Sequence, residues 1–191
     1  MSVLNEGTIF SHSVLGLNTP PELEDSVFKK FILDLLIDSA PVTQQLLDRI
    51  AQLYPANSTT LGGAFNTGDS LFDRAEAFYS DNMYLGPRRL FFDKAASTNK
   101  LFSYFFNEFI PGNNVTDGVA HASELALLFG PVPDSIEDDF ANQFTDFYIN
   151  FINDLNPGRR LVLCVLSERL LTHLSQLSGH VLSQIRDTSC S

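Results

Sequence analysis

The sequence predicts an α/β chain that is mostly helical. Three observations lead there. Apolar residues recur at helical spacing in successive segments between Pro20 and Asp154. One short aromatic run, "KLFSYFFNEF", bounded by Asn99-Lys100 and Pro111-Gly112, breaks that period in the way a buried strand does. The 191 residues are 44% hydrophobic, which is enough for one domain with a core.

The elements follow in order. "LNTPPELEDSVFKKFILDLLIDSAP" has a helix entry at Thr19-Pro20-Pro21, acids in its first turn, and Val27, Phe28, Phe31, Ile32, Leu35 and Leu36 at helical spacing, so a helix is expected over 22–38 and ends before Pro41. "VTQQLLDRIAQLYP" repeats the pattern with Leu46, Leu47, Ile50 and Leu53 on one side. The glycine- and polar-rich "ANSTTLGGAFNTGDS" reads as an exposed loop. From Ser70 to Ser97 the spacing predicts two helical segments, parted near Gly86-Pro87 and packed on one another. After the aromatic strand, "IPGNNVTDGVAH" leads into the short helix "ASELALLFG", ended by Gly130 and Pro131. "DSIEDDFANQFTDFYINFINDLNPG" offers Ser135 as a cap, Asp138 three residues on, and Ile136, Phe140, Phe144, Phe147 and Phe151 on one face, so the longest helix is expected here.

Charge narrows the function. With 12 basic and 23 acidic residues the net charge is −11, and like-charge repulsion disfavours a nucleic-acid backbone as partner. Residues 159–191 differ in character, with 4 basic and 2 acidic side chains, many leucines and serines, and no aromatic residue. Either an amphipathic helix built on Leu163, Leu166, Leu170, Leu174, Leu177 and Leu182 or a frame change or retained intron near Gly158 accounts for them. Cys164 and Cys190 both lie there, at a spacing that matches neither a metal site nor a redox pair. No run approaches the roughly 18 apolar residues of a membrane span. The acceptor triplets at Asn57 and Asn114 follow no secretory signal, so a cytosolic location is expected as written, and secretion if a signal-bearing N-terminal half exists.

Few residues offer chemistry. Glu6, between Asn5 and Gly7, reads by itself as a solvated turn residue. His12, His173 and His180 sit among ordinary helix or loop residues. His121 differs, because it follows a strand and a glycine-bearing loop, where a scaffold holds catalytic groups well. A carboxylate followed much later by a histidine is the acid-then-base order of a serine hydrolase, in which the acid orients the imidazole and the imidazole deprotonates a serine.

Longer motifs surround both residues. "NEGTIF" resembles the acid turn of the type B carboxylesterase, lipase and cholinesterase family, and "GVAHASELALLFG" its histidine loop. "PRRLFFDKAASTNKLFSYFFNEF" and "FTDFYINFINDLNPG" are similar to segments of the same family, in the same order. The resemblance runs from residue 3 to 158 and is closest to fungal members. It implies that Glu6 is the triad acid, that His121 is the general base, and that Glu124 supports the loop rather than binding zinc. It implies no metal and no organic cofactor, and a carboxylic ester or lipid as substrate of the complete protein.

The departures carry as much information. Asn5 stands where the family usually has Asp, and the 191 residues hold no Gly-x-Ser-x-Gly and no glycine-rich oxyanion segment, so the nucleophile is absent. The family's acid turn comes late in its fold. The resemblance therefore implies the C-terminal part of an α/β-hydrolase fold over 1–158, with "MSVLN" ending one of about two strands of an incomplete sheet, and a divergent tail over 159–191. Such a chain is expected to be inactive by itself and to self-associate through an exposed sheet edge. An alternative within the same resemblance is a non-catalytic interaction module. "GDSL" at Gly68 to Leu71 spells another hydrolase signature with Ser70 as nucleophile, but it follows a loop, enters a helix and lacks the distal Asp-x-x-His. Phe65, Phe72 and Phe78 either line an acyl site or belong to the core, the commoner fate of aromatic residues in helices.

Overall fold

A computed structural model describes residues 6–131 and 137–158. The strand piece expected at "MSVLN", the Ser135 cap, Ile136 and the tail 159–191 lie outside the described residues. By contacts the chain divides into Met1–Thr145 and Asp146–Ser191.

The helices that fill the first unit follow their sequence signals closely. A short α1, Thr8–Ser11, opens it. In α2, Pro21–Asp34, proline occupies the first turn, where a missing N–H costs nothing, and Glu22 and Glu24 face the positive end of the helix dipole. The helix stops four residues short of expectation because Asp38 accepts from Ala40 N in a side-chain turn and Ile37 is left fully in solvent. Thr43 caps α3, Gln44–Leu53, by accepting from Leu46 N at 3.2 Å. Its inward face is Leu47, Ile50 and Ala51, whereas Leu46 and Leu53 point outward. Asp69 caps α4, Ser70–Ser80, through Phe72 N.

The segments on either side of Gly86-Pro87 are not parted by a loop and do not fold back on one another. Helical backbone continues from α4 through a π-helical turn, Asp81–Leu85, into α5, Gly86–Ala95. Pro87 directly follows the π-helical turn, where the regular helical hydrogen-bond ladder is already interrupted. The core of the unit gathers Val14, Phe28, Phe31, Ile32, Leu47, Ala51, Leu71, Ala75 and Phe78, so that α2, α3 and α4 close on one apolar centre. Arg74 is buried within it. Its guanidinium lies 4.4 Å over the Phe28 ring and bonds Glu24 Oε1 at 2.9 Å, Asp25 Oδ1 at 2.7 Å and the Tyr54 carbonyl at 2.7 Å.

The α/β expectation is overturned. Of the described residues 58% are helical and 1% are strand, and no sheet exists among them. The run "KLFSYFFNEF" carries a single bridge residue, Phe106, and no ladder. A strand is defined by the backbone of its neighbour, and propensity alone supplies none. Side chains hold this segment instead. Phe106 is buried against Phe140 and Phe144, and Tyr104 meets Phe144 edge-on at 5.4 Å. Phe106 is thus buried without a sheet, whereas Phe102 is exposed. With no sheet among the described residues there is likewise no sheet edge through which to self-associate.

Beyond that segment come α6, Leu125–Phe129, and α7, Asp138–Asp154, whose 17 residues make it the longest described helix. Acids at Asp138 and Asp139 suit its N-terminal turn. In the second unit the helix ends with Leu155 N bonded to Phe151 O and Leu155 at φ 51°. No described helix is long and apolar enough to cross a membrane.

Candidate active site

Glu6 stands just ahead of α1, and a side chain expected to be solvated is only 2% exposed. Its neighbour Gly7 explains how the turn gets so deep. Gly7 N donates to Ser80 Oγ at 2.7 Å, Ser80 Oγ donates to Glu76 Oε1 at 2.9 Å, and Ser11 Oγ returns to Gly7 O at 2.9 Å. The acid turn is therefore pinned to the last turn of α4. The φ of Gly7, −79°, is open to any residue. Space is what requires glycine: a Cβ would lie 2.4 Å from Glu76 O, 2.8 Å from Tyr79 Cβ and 2.9 Å from Ser80 N.

His121 arrives from the other end of the unit on a loop with its own supports. Asn114 Oδ1 accepts from Thr116 N to start a short helical turn over Val115–Asp117. Asp117 Oδ1 lies 2.9 Å from His12 Nε2, tying the loop to the residue after α1. Gly118, at φ 57° and ψ −137°, then reverses the chain through a conformation that side chains forbid, and buried Val119 and Ala120 follow. Ser123 donates to Ala120 O through both N and Oγ, and Ala122 is held at φ 69°. A non-glycine residue in that region costs energy that the surroundings must offset, and such sites concentrate where a side chain has to be aimed.

The outcome is one contact. His121 Nδ1 lies 2.9 Å from Glu6 Oε2, 115 residues away in sequence. A carboxylate only accepts, so Nδ1 carries the hydrogen, and in the neutral imidazole Nε2 then presents its lone pair. Nε2 has no hydrogen-bond partner among the described residues, and the His121 side chain is 39% exposed. Tyr84 covers one face of the imidazole at 4.9 Å, and Phe10 stands at 6.2 Å. Burial pushes the Tyr84 phenol above its ordinary value, with Tyr79 and Glu6 adding to the effect, so a neutral ring faces the imidazole. Chemically the arrangement is an oriented base whose free nitrogen can take a proton from a hydroxyl brought to it.

Glu124 is the odd member. It is 1% exposed and neither carboxyl oxygen has a hydrogen-bond partner among the described residues. Burial raises its pKa, the Glu6 carboxylate adds to that, and His121 opposes it. Among the described residues no three His, Cys, Asp or Glu side chains assemble as a metal site. Glu124 holds its proton to higher pH when folded than when unfolded, so its contribution is complete below its ordinary pKa of 4.5 and is lost as pH rises through the folded value. Glu124→Gln cannot ionise. Urea titrations at a series of pH values are expected to show the wild-type midpoint falling more steeply than the variant's above pH 4.5, and parallel curves would remove the assignment.

Other expected residues lie elsewhere. Ser70 Oγ donates to Glu24 Oε1 at 2.8 Å and accepts from Asn57 N at 2.6 Å, which makes it part of the Arg74 cluster at the start of α4. Phe72 and Phe78 are buried, Phe78 in the apolar core, and Phe65 packs on Phe109 at 5.4 Å. Sequence reading missed Tyr84, Ser80 and the His12–Asp117 pair. Nothing in a helical "SDNMYLG" says where its tyrosine points.

No protein-family model, no curated protein and no solved structure matches this chain.

Proposed function

We propose that Glu6 and His121 are the acid and base of a serine carboxylic-ester hydrolase of the type B carboxylesterase and lipase kind, and that this chain is the portion that carries them. One observation carries the reading: a buried carboxylate and a half-exposed imidazole, 115 residues apart in sequence, meet at 2.9 Å with the second imidazole nitrogen free. They are the two positions at which the motif resemblance puts acid and base. The serine and oxyanion donors come from chain outside these 191 residues, which contain no Gly-x-Ser-x-Gly.

The chemistry needs neither metal nor organic cofactor. Nε2 of His121 takes the serine proton as the hydroxyl attacks the ester carbonyl, Glu6 holds the imidazolium that results, and the proton passes to the leaving alcohol. Water then repeats the sequence on the acyl-enzyme. Carboxylic esters, lipids included, are the substrate class.

The test has two arms. The chain alone, offered a short acyl ester, is expected to hydrolyse it no faster than buffer. A full-length transcript is expected to place an in-frame Gly-x-Ser-x-Gly upstream of Met1, and that longer protein is expected to hydrolyse the ester and to be blocked by a serine-directed phosphonate. Ester hydrolysis by the chain alone, lost on His121→Ala, would show that it carries its own nucleophile. A longer protein that is inactive would remove the catalytic reading.

A non-catalytic interaction module is the second reading. It draws on Phe91 and Phe129, which are strongly exposed and open to another polypeptide. A monodisperse, cooperatively unfolding monomer argues against it.

A further inference from the structure

The last turn of α4 touches the acid, and the turn that follows it touches the base. Gly7 is pressed against Glu76, Tyr79 and Ser80, which fixes the carboxylate of Glu6. One step further along the chain the helix widens into the π-helical turn Asp81–Leu85, in which Gly86 N donates to Asp81 O, five residues back. That turn is itself anchored, because Tyr54 OH donates to Asp81 Oδ2 at 2.8 Å. A regular α-helix would carry Tyr84 round to a different azimuth. The wider turn instead lays its ring on the His121 imidazole at 4.9 Å and 26°, nearly parallel. Single π-helical turns recur inside helices where a side chain has to be re-aimed for function.

We propose that Tyr84 is a positioning residue for His121. Its neutral ring holds the plane of the imidazole, so that Nδ1 stays on Glu6 and Nε2 stays open to an incoming hydroxyl. A side chain 39% exposed would otherwise rotate about its χ angles, and a single hydrogen bond does not fix a plane. Offset aromatic stacking supplies the second constraint, at right angles to the first. One helix end thereby registers acid against base: Gly7 and Ser80 set the carboxylate, and Tyr84 sets the ring.

This rests on the reading of His121 as a base, but its test observes the imidazole itself and is independent of any ester hydrolysis. In the whole chain with nitrogen-15-labelled histidine, long-range proton–nitrogen spectra report the His121 tautomer, and the exchange of its Nδ1 hydrogen with water reports how firmly Glu6 holds it. His12, bonded to Asp117 and set edge-on to Phe72 at 5.7 Å, serves as an internal reference for folding. Wild type and Tyr84→Phe are expected to share one Nδ1–H tautomer and one exchange rate, because the ring is kept. Tyr84→Leu is expected to mix the two tautomers and to speed exchange roughly three- to tenfold, the worth of one aromatic contact. Where leucine disturbs the His12 signal, Tyr84→Met fills the same space without a ring and replaces it. Unchanged tautomer and exchange in the ringless variant overturn the proposal. So does a Tyr84→Phe chain that behaves like the ringless one, because the hydroxyl and not the ring would then be the cause.

Discussion

Arg74→Met is expected to lower the unfolding free energy by about 3–5 kcal/mol, read as a shift of the urea midpoint at constant slope. The methionine fills much of the space over Phe28, so the loss is not mainly one of packing. Glu24, itself only 5% exposed, would keep the Ser70 hydroxyl as a partner and lose its counter-charge, and the Tyr54 carbonyl would lose the donor that now reaches it at 2.7 Å. Removing one partner of a buried pair is worse than removing both. Arg74→Met combined with Glu24→Gln is therefore expected to recover roughly half of the loss. Equal destabilisation in the single and double variants would show that shape rather than charge balance governs the cluster. Arg74→Lys should not substitute well, because one ammonium cannot reach Glu24, Asp25 and the carbonyl in the planar fork that the guanidinium provides.

Gly7→Ala is expected to cost about 3 kcal/mol, the upper end of what overpacking does, because two of the three atoms a Cβ would meet are backbone and cannot swing aside. The turn must lift from α4, which breaks the bond from Gly7 N to Ser80 and carries Glu6 away from His121. Two readouts are therefore expected to move together in one variant. The urea midpoint falls, and the Nδ1 hydrogen of His121 exchanges with water as in an unpaired imidazole. Retention of that hydrogen in a folded Gly7→Ala chain would mean that Glu6 does not depend on the helix for its place. Ser80→Ala provides the milder comparison, since it removes the hydroxyl and keeps the close approach, with an expected loss of about 1 kcal/mol.

Local order was legible where it rests on neighbouring residues. The prolines and acids at the start of α2 and Gly130 after α6 announce helix ends, because such signals act within one turn of chain. Motif resemblance nominated Glu6 and His121 as acid and base, but it did not disclose that Glu6 is buried. The aromatic run around Phe106 misled, because strand propensity describes a side chain suited to a half-buried surface, and here that surface is α7. Gly86-Pro87 misled too, since the pair reads as a break and stands inside a continuous helical path.

The sequence by itself determined the helical periodicity of its segments, the net charge of −11 and the absence of a Gly-x-Ser-x-Gly, and it nominated Glu6 and His121 as an expectation. Only the tertiary structure decided that Glu6 is buried, that it lies 2.9 Å from His121, that Ser70 serves an arginine cluster, and that Tyr84 lies on the imidazole. The physical reason is range. Caps, helical periodicity and net charge are set by residues within a few positions of one another, whereas a contact across 115 residues depends on how α4 receives a glycine turn, and no local rule states that.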